Sequence, residues 1–243
     1  VSVANNHMMD AQSWGLFDTL KSLDNAGIAH VGAGKNLAQA RAPHIVEKNG
    51  IKLAFLAYAV FVNVGDSGFA TNGRPGVAPL DPLVIKADIA RLKDSVDHII
   101  LSFHWDTYAY ETAKQFDLHP DAIDFAHEMI DAGADAILGH HSHIPRAVEY
   151  YKGKPILYSL SHLAMSFTMP TWVDNYVAGL RITKTDISSV EILPVAGKPE
   201  DMAQPYFLEG NRANIMLTQL QELSKNLGGT LRIKDGKGVL TAA

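Results

Sequence analysis

Three polar clusters, each directly after an apolar segment, have the residue types of a metal site. They are Asn5-Asn6-His7, His104 within Leu-Ser-Phe-His-Trp, and the run 140–143, His-His-Ser-His. The carboxyl ends of neighbouring parallel strands aim their following loops into one crevice. We therefore expect the three clusters to converge on one site, although they lie far apart in sequence.

The run of three histidines in four residues carries the strongest signal. In an extended backbone alternate side chains share a side, so we predict that His141 and His143 reach one ion or two adjacent ions, while His140 points away. Protonated imidazoles this close would repel one another, which favours a metal or phosphate role over a packing role. Single histidines are more often surface or packed residues, and we interpret three of them in that way: His30, His44 and His98.

The motifs together resemble those of one protein family. The chain is similar to the bacterial capsule-synthesis CapA family, also called poly-γ-glutamate biosynthesis proteins, which resembles a branch of the calcineurin-like metallophosphoesterases. The similarity is carried by segments 4–10, 102–105, 139–143 and 158–160. It extends over nearly the whole chain through segments 27–34, 75–80, 223–224 and 234–238. It is specific for the family and less specific for an activity.

The resemblance implies roles for individual residues. It makes Asn6 a metal ligand through its amide oxygen and His7 the acid that protonates a leaving alkoxide. It also makes His104 a ligand, and it aligns His141 and His143 with the ligands of the family's Gly-His-x-His motif. The last alignment agrees with the alternation argument above.

Cofactors, substrate and partners follow from the same resemblance. A mixed nitrogen and oxygen ligand set suits a pair of divalent ions, Mn, Fe or Zn, which activate water for displacement at phosphorus. The expected substrate is an anionic polymer or a phosphoester, and His140, which stands where the family has glycine, is expected to bind it. Arg146 is a further candidate for contact with an anionic substrate because it lies three residues after His143, and the resemblance does not supply that role. Capsule synthase membrane subunits are the expected protein partners.

The chain departs from the family pattern at several points. Aspartates of two earlier metallophosphoesterase motifs should precede residue 1, and segment 1–4 has the pattern of a strand entering a catalytic loop. We therefore expect an N-terminally truncated chain with at least one incomplete metal site. Asp106 and Glu111 are candidate substitutes for a family glutamate, or residues of a solvated loop. His162 replaces a family asparagine and lies near the pocket or has a packing role.

Composition limits the function classes. The 243 residues are 47% hydrophobic and 19% charged, enough for a sizeable core, and we expect a single domain over 1–243. A net charge of −5 and the absence of a Lys/Arg cluster argue against nucleic-acid binding. The chain has no cysteine, which excludes disulfides and thiolate ligands. No apolar stretch reaches the ~18 to 20 residues of a membrane span. The resemblance implies a cell-envelope location, for which we expect a membrane anchor or a secretion signal in the missing N-terminal segment.

Periodicity and turn residues predict alternating helices and strands. Helices are predicted at 13–26, 83–93, 121–132 and 211–226, and a long loop at 63–79 that could cover the pocket. Asn49-Gly50 predicts a hairpin of 44–47 with 51–58. Further strands are predicted at 98–103, 136–138, 146–151, 156–160, 176–183 and 189–194, the last four in an antiparallel half. The fold class is α/β, and the resemblance implies a four-layer αββα sandwich of the metallophosphoesterase type with its N-terminal strands missing.

Two function classes are compatible with these residues. The first is a metal-dependent phosphoesterase-like hydrolase of the cell envelope that serves capsule or poly-γ-glutamate production. The second is a non-catalytic assembly, export or polymer-binding component that keeps the same fold. For this chain we predict weak or absent hydrolysis of a generic phosphodiester.

Four aromatic residues are expected either to form a pocket wall or to pack in the interior: Trp105, Tyr108, Tyr110 and Trp172.

Overall fold

The computed structural model describes residues 1–105, 120–164, 173–198, 200 and 204–242. Within these ranges the chain forms five α-helices and twelve strands. It divides into two compact units, the first made of residues 1–105 and 131–134 and the second of 106–130 and 135–243. The predicted mixed α/β fold, with several sheets flanked by helices, is confirmed.

The first unit contains three helices, five short or long strands and one 3-10 turn. Its elements are α1 (Gln12–Asn25), β1 (Ala33–Gly34), α2 (Leu37–Ala40), β2 (His44–Lys48), β3 (Ile51–Ala59), the 3-10 turn (Gly65–Gly68), β4 (Gly76–Val77), α3 (Pro82–Leu92) and β5 (His98–His104). β2 pairs antiparallel with β3, and β3 pairs in parallel with β5 so that Ala59 stands opposite His104. The predicted hairpin is confirmed, because Asn49 and Gly50 both have positive φ, as a type I′ turn requires.

Segment 1–4 runs parallel to the backbone at Val31, just before β1, and leads into the first polar cluster. The Val3 N–H donates to the Val31 carbonyl at 2.9 Å, and the Val31 N–H donates to the Val1 carbonyl at 3.0 Å. Val3 and Ala4 are buried, and they pack against a hydrophobic cluster that includes Leu16 and Leu20 of α1. The predicted extended segment and the predicted helix α1 therefore both position the loop that follows Ala4.

The second unit is richer in β-structure. Its elements are α4 (Pro120–Asp131), whose last residue belongs to the first unit, β6 (Ala136–His140), β7 (Val148–Tyr151), β8 (Lys154–Leu157), β9 (Asn175–Ile182), β10 (Ile187–Val195), α5 (Gly210–Ser224), β11 (Thr230–Lys234) and β12 (Lys237–Thr241). β6 pairs in parallel with β8, which pairs antiparallel with β7. A separate antiparallel sheet has the order β11-β12-β10-β9, so the predicted antiparallel character of this half is confirmed.

A single hydrophobic cluster ties these strands to helix α5. Leu217 and Leu220 of α5 lie in it with Leu157 of β8, Val190 of β10 and Leu240 of β12. The C-terminal helix therefore docks on the core, as its amphipathic pattern predicts. The four-layer stacking and the single domain stay predictions. Among the described residues no helix is long and apolar enough to cross a membrane.

Candidate metal centre

In the first unit the structure brings together the predicted ligands Asn6 and His104. His104 is the last residue of β5, and Asn6 lies in the loop after segment 1–4. The Asn6 Oδ1 atom and the His104 Nε2 atom are 2.9 Å apart, and the two residues are only 8% and 9% exposed. The contact joins residues 98 positions apart in sequence, so the predicted convergence of these two clusters occurs within this unit.

The Asn6–His104 pair has the chemistry and spacing of two ligands of one ion. Ligands about 2.1 Å from an ion and at right angles to each other lie about 3 Å apart. An amide oxygen and an imidazole nitrogen also suit the Mn, Fe or Zn ions that the sequence predicts. Without an ion the same atoms form a hydrogen bond, in which the His104 Nε2–H donates to Asn6 Oδ1.

His7, the predicted acid, is held by Asp10 from the same loop. The His7 Nδ1 atom lies 2.6 Å from Asp10 Oδ2, and the His7 side chain is 67% exposed. The hydrogen bond from His7 lowers the pKa of Asp10, and a further hydrogen bond from Asn63 lowers it too. Asp10 thus stays ionised and fixes His7 with Nδ1 toward the carboxylate, which leaves Nε2 for a bound molecule.

Asn63 is a site residue that the sequence interpretation missed. Its backbone N–H donates to the Asn6 carbonyl at 2.9 Å, and its Oδ1 atom accepts from Asn6 Nδ2 at 2.9 Å. Its Nδ2 atom donates to Asp10 Oδ1 at 3.0 Å. The sequence marks 63–79 as a loop that could cover the pocket, but nothing in the spacing singles out its first residue.

In the second unit the predicted ligands His141 and His143 lie close together, though for a different reason than expected. Strand β6 ends at His140, and His141 and His143 have φ values of +102° and +56°. The expectation of an extended backbone with alternating side chains is therefore wrong. A left-handed turn places the two rings 6.3 Å apart between centroids. Each such residue costs about 1–3 kcal/mol of backbone strain, and strain of this kind clusters at functional sites.

Of the two predicted substrate-binding residues, His140 is half-buried and Arg146 is buried. Burial lowers the pKa of His140 to about 4, so its imidazole is neutral at physiological pH. Arg146 is only 1% exposed. Substrate contact by these two residues stays a prediction.

His162 supports the loop that carries His143. Its Nδ1 atom lies 2.7 Å from the His143 carbonyl oxygen and its Nε2 atom 3.3 Å from that of Gly197. Asn175 Nδ2 donates to the His162 carbonyl at 2.8 Å. The His162 ring also lies 6.1 Å from the His143 ring between centroids, so His162 is near a predicted ligand and at the same time packs against the loop that carries it.

Some candidates lie outside the described residues: Asp106, Tyr108, Tyr110, Glu111 and Trp172. Trp105 is buried and packs on Phe103 with ring centroids 5.1 Å apart, which agrees with a packing role. Within the described part of the chain, no group of three or more His, Cys, Asp or Glu side chains is placed to hold a metal ion. Asn6 would contribute an amide oxygen and so does not belong to these four residue types.

Comparison with known proteins decides the family. The model of the bacterial capsule synthesis protein family PGA_cap matches residues 1–165. The chain belongs to the PGA_cap family. The predicted resemblance to CapA-type capsule and poly-γ-glutamate biosynthesis proteins is thereby confirmed.

Two curated relatives extend the match. The PGA biosynthesis protein CapA of Bacillus subtilis is 30% identical over 238 residues, which cover 96% of this chain and 59% of that protein. A probable polyglutamine synthesis accessory protein of Mycobacterium tuberculosis is 33% identical over 211 residues, which cover 82% of this chain and 54% of that protein. This PGA_cap chain thus spans little more than half the length of the curated relatives it matches.

A solved structure shows a weaker likeness. A putative 5′-nucleotidase from Staphylococcus aureus superposes with a TM-score of 0.46 and 11% sequence identity, over 90% of this chain and 41% of that one. At this level the likeness carries no inference about substrate or mechanism for the PGA_cap chain.

Proposed function

We propose that this PGA_cap chain carries a metal-dependent hydrolase site of the phosphoesterase type that serves capsule or poly-γ-glutamate production. The observation that supports the proposal is the 2.9 Å approach of Asn6 Oδ1 to His104 Nε2. These are two atoms suited to one ion, held in a buried position at the end of a parallel strand. The proposed substrate is a phosphoester or an anionic polymer with a related bond.

The residues have separate proposed tasks. Asn6 and His104 in the first unit, and His141 and His143 in the second, are the proposed metal ligands. When bound, divalent ions would make water more acidic and neutralise charge that develops at phosphorus. In its imidazolium form His7 would give the Nε2 proton to the leaving alkoxide and become neutral, while its Nδ1–H stays hydrogen-bonded to Asp10 at 2.6 Å.

Metal content of the purified chain tests the proposal. Elemental analysis for Mn, Fe and Zn compares the wild type with His104→Ala and with the double variant His141→Ala, His143→Ala. His44→Ala is the matched control, because His44 begins the outer strand β2 and is not a proposed ligand. We expect bound metal in the wild type and the control, and reduced metal in the other two variants.

Activity is measured next on a generic phosphodiester. Any turnover by this chain is expected to be weak, and His7→Ala should lower it about 10²- to 10⁴-fold without changing the metal content. Absence of metal from the wild type, or equal metal in all variants, would overturn the proposal. The non-catalytic assembly or polymer-binding class would then be the better account.

A further inference from the structure

We infer that Asn63 is a positioning residue that orients the Asn6 amide, with Asp10 dictating the direction. The inference rests on the proposed function, because it concerns the proposed ligand Asn6. It starts from a chain of side-chain hydrogen bonds that runs from Asp10 through Asn63 and Asn6 to His104. All four residues belong to the first unit.

Asp10 determines the direction of this series of hydrogen bonds, because an ionised carboxylate can only accept them. Asn63 must therefore present its Nδ2 atom to Asp10 Oδ1, at 3.0 Å. Its Oδ1 atom then faces Asn6, which must answer with its own Nδ2 atom, at 2.9 Å. The Asn6 Oδ1 atom is left to face His104 Nε2. The negative charge of Asp10 therefore sets the orientation of the Asn63 and Asn6 amides, so that the oxygen of Asn6, the atom that a metal ion would bind, faces His104.

His7 does not compete with Asp10 for the hydrogen bond that Asn63 Nδ2 donates. Its Nδ1 atom lies 2.9 Å from Asn63 Nδ2 but only 2.6 Å from Asp10 Oδ2. The ionised carboxylate accepts a hydrogen bond from the His7 Nδ1–H in this shorter, charge-assisted contact. Asn63 Nδ2 therefore donates to Asp10 and not to His7, and the direction of the chain is unambiguous.

Asn63 is suited to a positioning role rather than to a structural one. It is exposed, so its side chain contributes little to the hydrophobic core. Its backbone N–H donates to the Asn6 carbonyl whatever the side chain, so substitution leaves the loop connection in place. A change at Asn63 should therefore act on the rotation of the Asn6 amide more than on folding.

The ring of His104 reports the orientation of Asn6 without any metal. With Asn6 Oδ1 facing it, Nε2 must carry the proton; with Asn6 Nδ2 facing it, Nε2 must be the acceptor. Long-range ¹H–¹⁵N NMR spectra of the metal-free chain distinguish the two states. We expect an Nε2-protonated ring in the wild type and a loss of that preference in Asn63→Leu, which removes both amide contacts.

A paired exchange provides the decisive control. In Asp10→Asn alone, the amides of residues 10, 63 and 6 can adopt either orientation. The preference of the His104 ring for protonation at Nε2 should therefore weaken. In the double variant Asp10→Asn, Asn63→Asp the carboxylate moves to position 63, where it accepts from both neighbouring amides. The original orientation of Asn6 should return, with the same net charge and almost the same side-chain volume.

Mn²⁺ titration of the same four proteins by calorimetry adds a second readout. Loss of an orienting partner typically weakens metal affinity 10- to 100-fold, and we expect that loss in Asn63→Leu and recovery in the double variant. An unchanged His104 ring in Asn63→Leu, or no recovery in the double variant, would overturn the inference. Failure of the wild type to bind Mn²⁺ would instead overturn the proposed function, while the NMR result would still decide the role of Asn63.

Discussion

Gly32 is a position where a single added methyl group should disturb the loop that carries Asn6. Its φ is +102°, and a Cβ atom there would lie 2.5 Å from Ala4 Cβ, 2.9 Å from Ala4 N and 2.9 Å from Ala57 Cβ. Non-bonded carbon atoms prefer about 3.5–4.0 Å. None of the three neighbouring atoms is the end of a flexible side chain, so Ala4 must shift by about 1 Å to relieve this overlap. Ala4 lies two residues before Asn6.

Two costs add up in Gly32→Ala. Left-handed backbone at an alanine costs about 1–2 kcal/mol, and overpacking of a close-packed site costs about 1–3 kcal/mol more. We therefore expect a loss of about 2–5 kcal/mol in the free energy of unfolding, measured by urea denaturation. The displacement should also weaken Mn²⁺ binding, because the Asn6–His104 approach of 2.9 Å does not tolerate a shift of that size.

Gly27→Ala is the matched control. Gly27 follows helix α1 with φ of +67°, and no atom lies within 4 Å of the position of an added Cβ. It carries the backbone cost alone, about 1–2 kcal/mol, and should leave Mn²⁺ affinity unchanged. The gain from reduced unfolded-state entropy is shared by both variants and cancels in their difference. Equal losses of stability in the two variants, or unchanged Mn²⁺ affinity in Gly32→Ala, would refute the reasoning.

Two further predictions concern buried polar groups away from the proposed ligands. Asp88 is 2% exposed and accepts hydrogen bonds from Tyr58 Oη at 2.9 Å and from Arg41 at 2.8 and 3.0 Å. Asp88→Ala leaves the buried Tyr58 hydroxyl without this acceptor, whereas the Arg41 side chain is 24% exposed and reaches water, so we expect a loss of about 1–3 kcal/mol in urea denaturation. The double variant with Tyr58→Phe should lose less stability than the sum of the two single losses, and additive losses would contradict this assignment. Burial raises the pKa of Tyr150 to about 12, whereas an exposed tyrosine ionises near about 10. The unfolded chain then loses this proton first, so stability should fall between pH ~10 and 12 by up to about 1.4 kcal/mol per pH unit. Denaturation curves of Tyr150→Phe should lack that part of the slope, and an identical slope would contradict the assignment.

Local signals account for the parts of the fold that the sequence could predict. Asn49-Gly50 predicts its hairpin because a type I′ turn needs positive φ at both positions, and few residue pairs allow it. The spacing of apolar residues predicts α5 because one helix face must be buried. The hairpin of β11 and β12 was missed, although Asp235-Gly236 carries the same turn signal with φ of +51° and +74°.

The sequence predicts the residue types of the candidate site but not the hydrogen bonds between residues that lie far apart in sequence. Asn6 and His104 follow from motif and strand position, but the Asn63 contact joins residues 57 positions apart and has no spacing rule. The two rings of His141 and His143 lie close together, but through positive-φ backbone rather than the predicted extended backbone, and their role as ligands stays a prediction. Histidine is enriched among the few non-glycine residues with positive φ, but this weak preference does not identify which histidine of a sequence adopts it.

The location of the backbone strain bears on the choice between function classes. His141, His143 and Ser161 all have positive φ, and all three lie in loops of the second unit, the first two directly after β6. Each strained residue costs about 1–3 kcal/mol and persists only where surrounding contacts enforce it. His162 provides such a contact, since its ring lies 2.7 Å from the His143 carbonyl oxygen. A module that only kept the fold for assembly would gain stability by relaxing these loops. Positive φ also occurs at four residues outside the proposed site, Gln12, Asn49, Lys152 and Asp235, so the feature that supports the proposed site is the enforced geometry at His143, whose carbonyl oxygen the His162 ring holds.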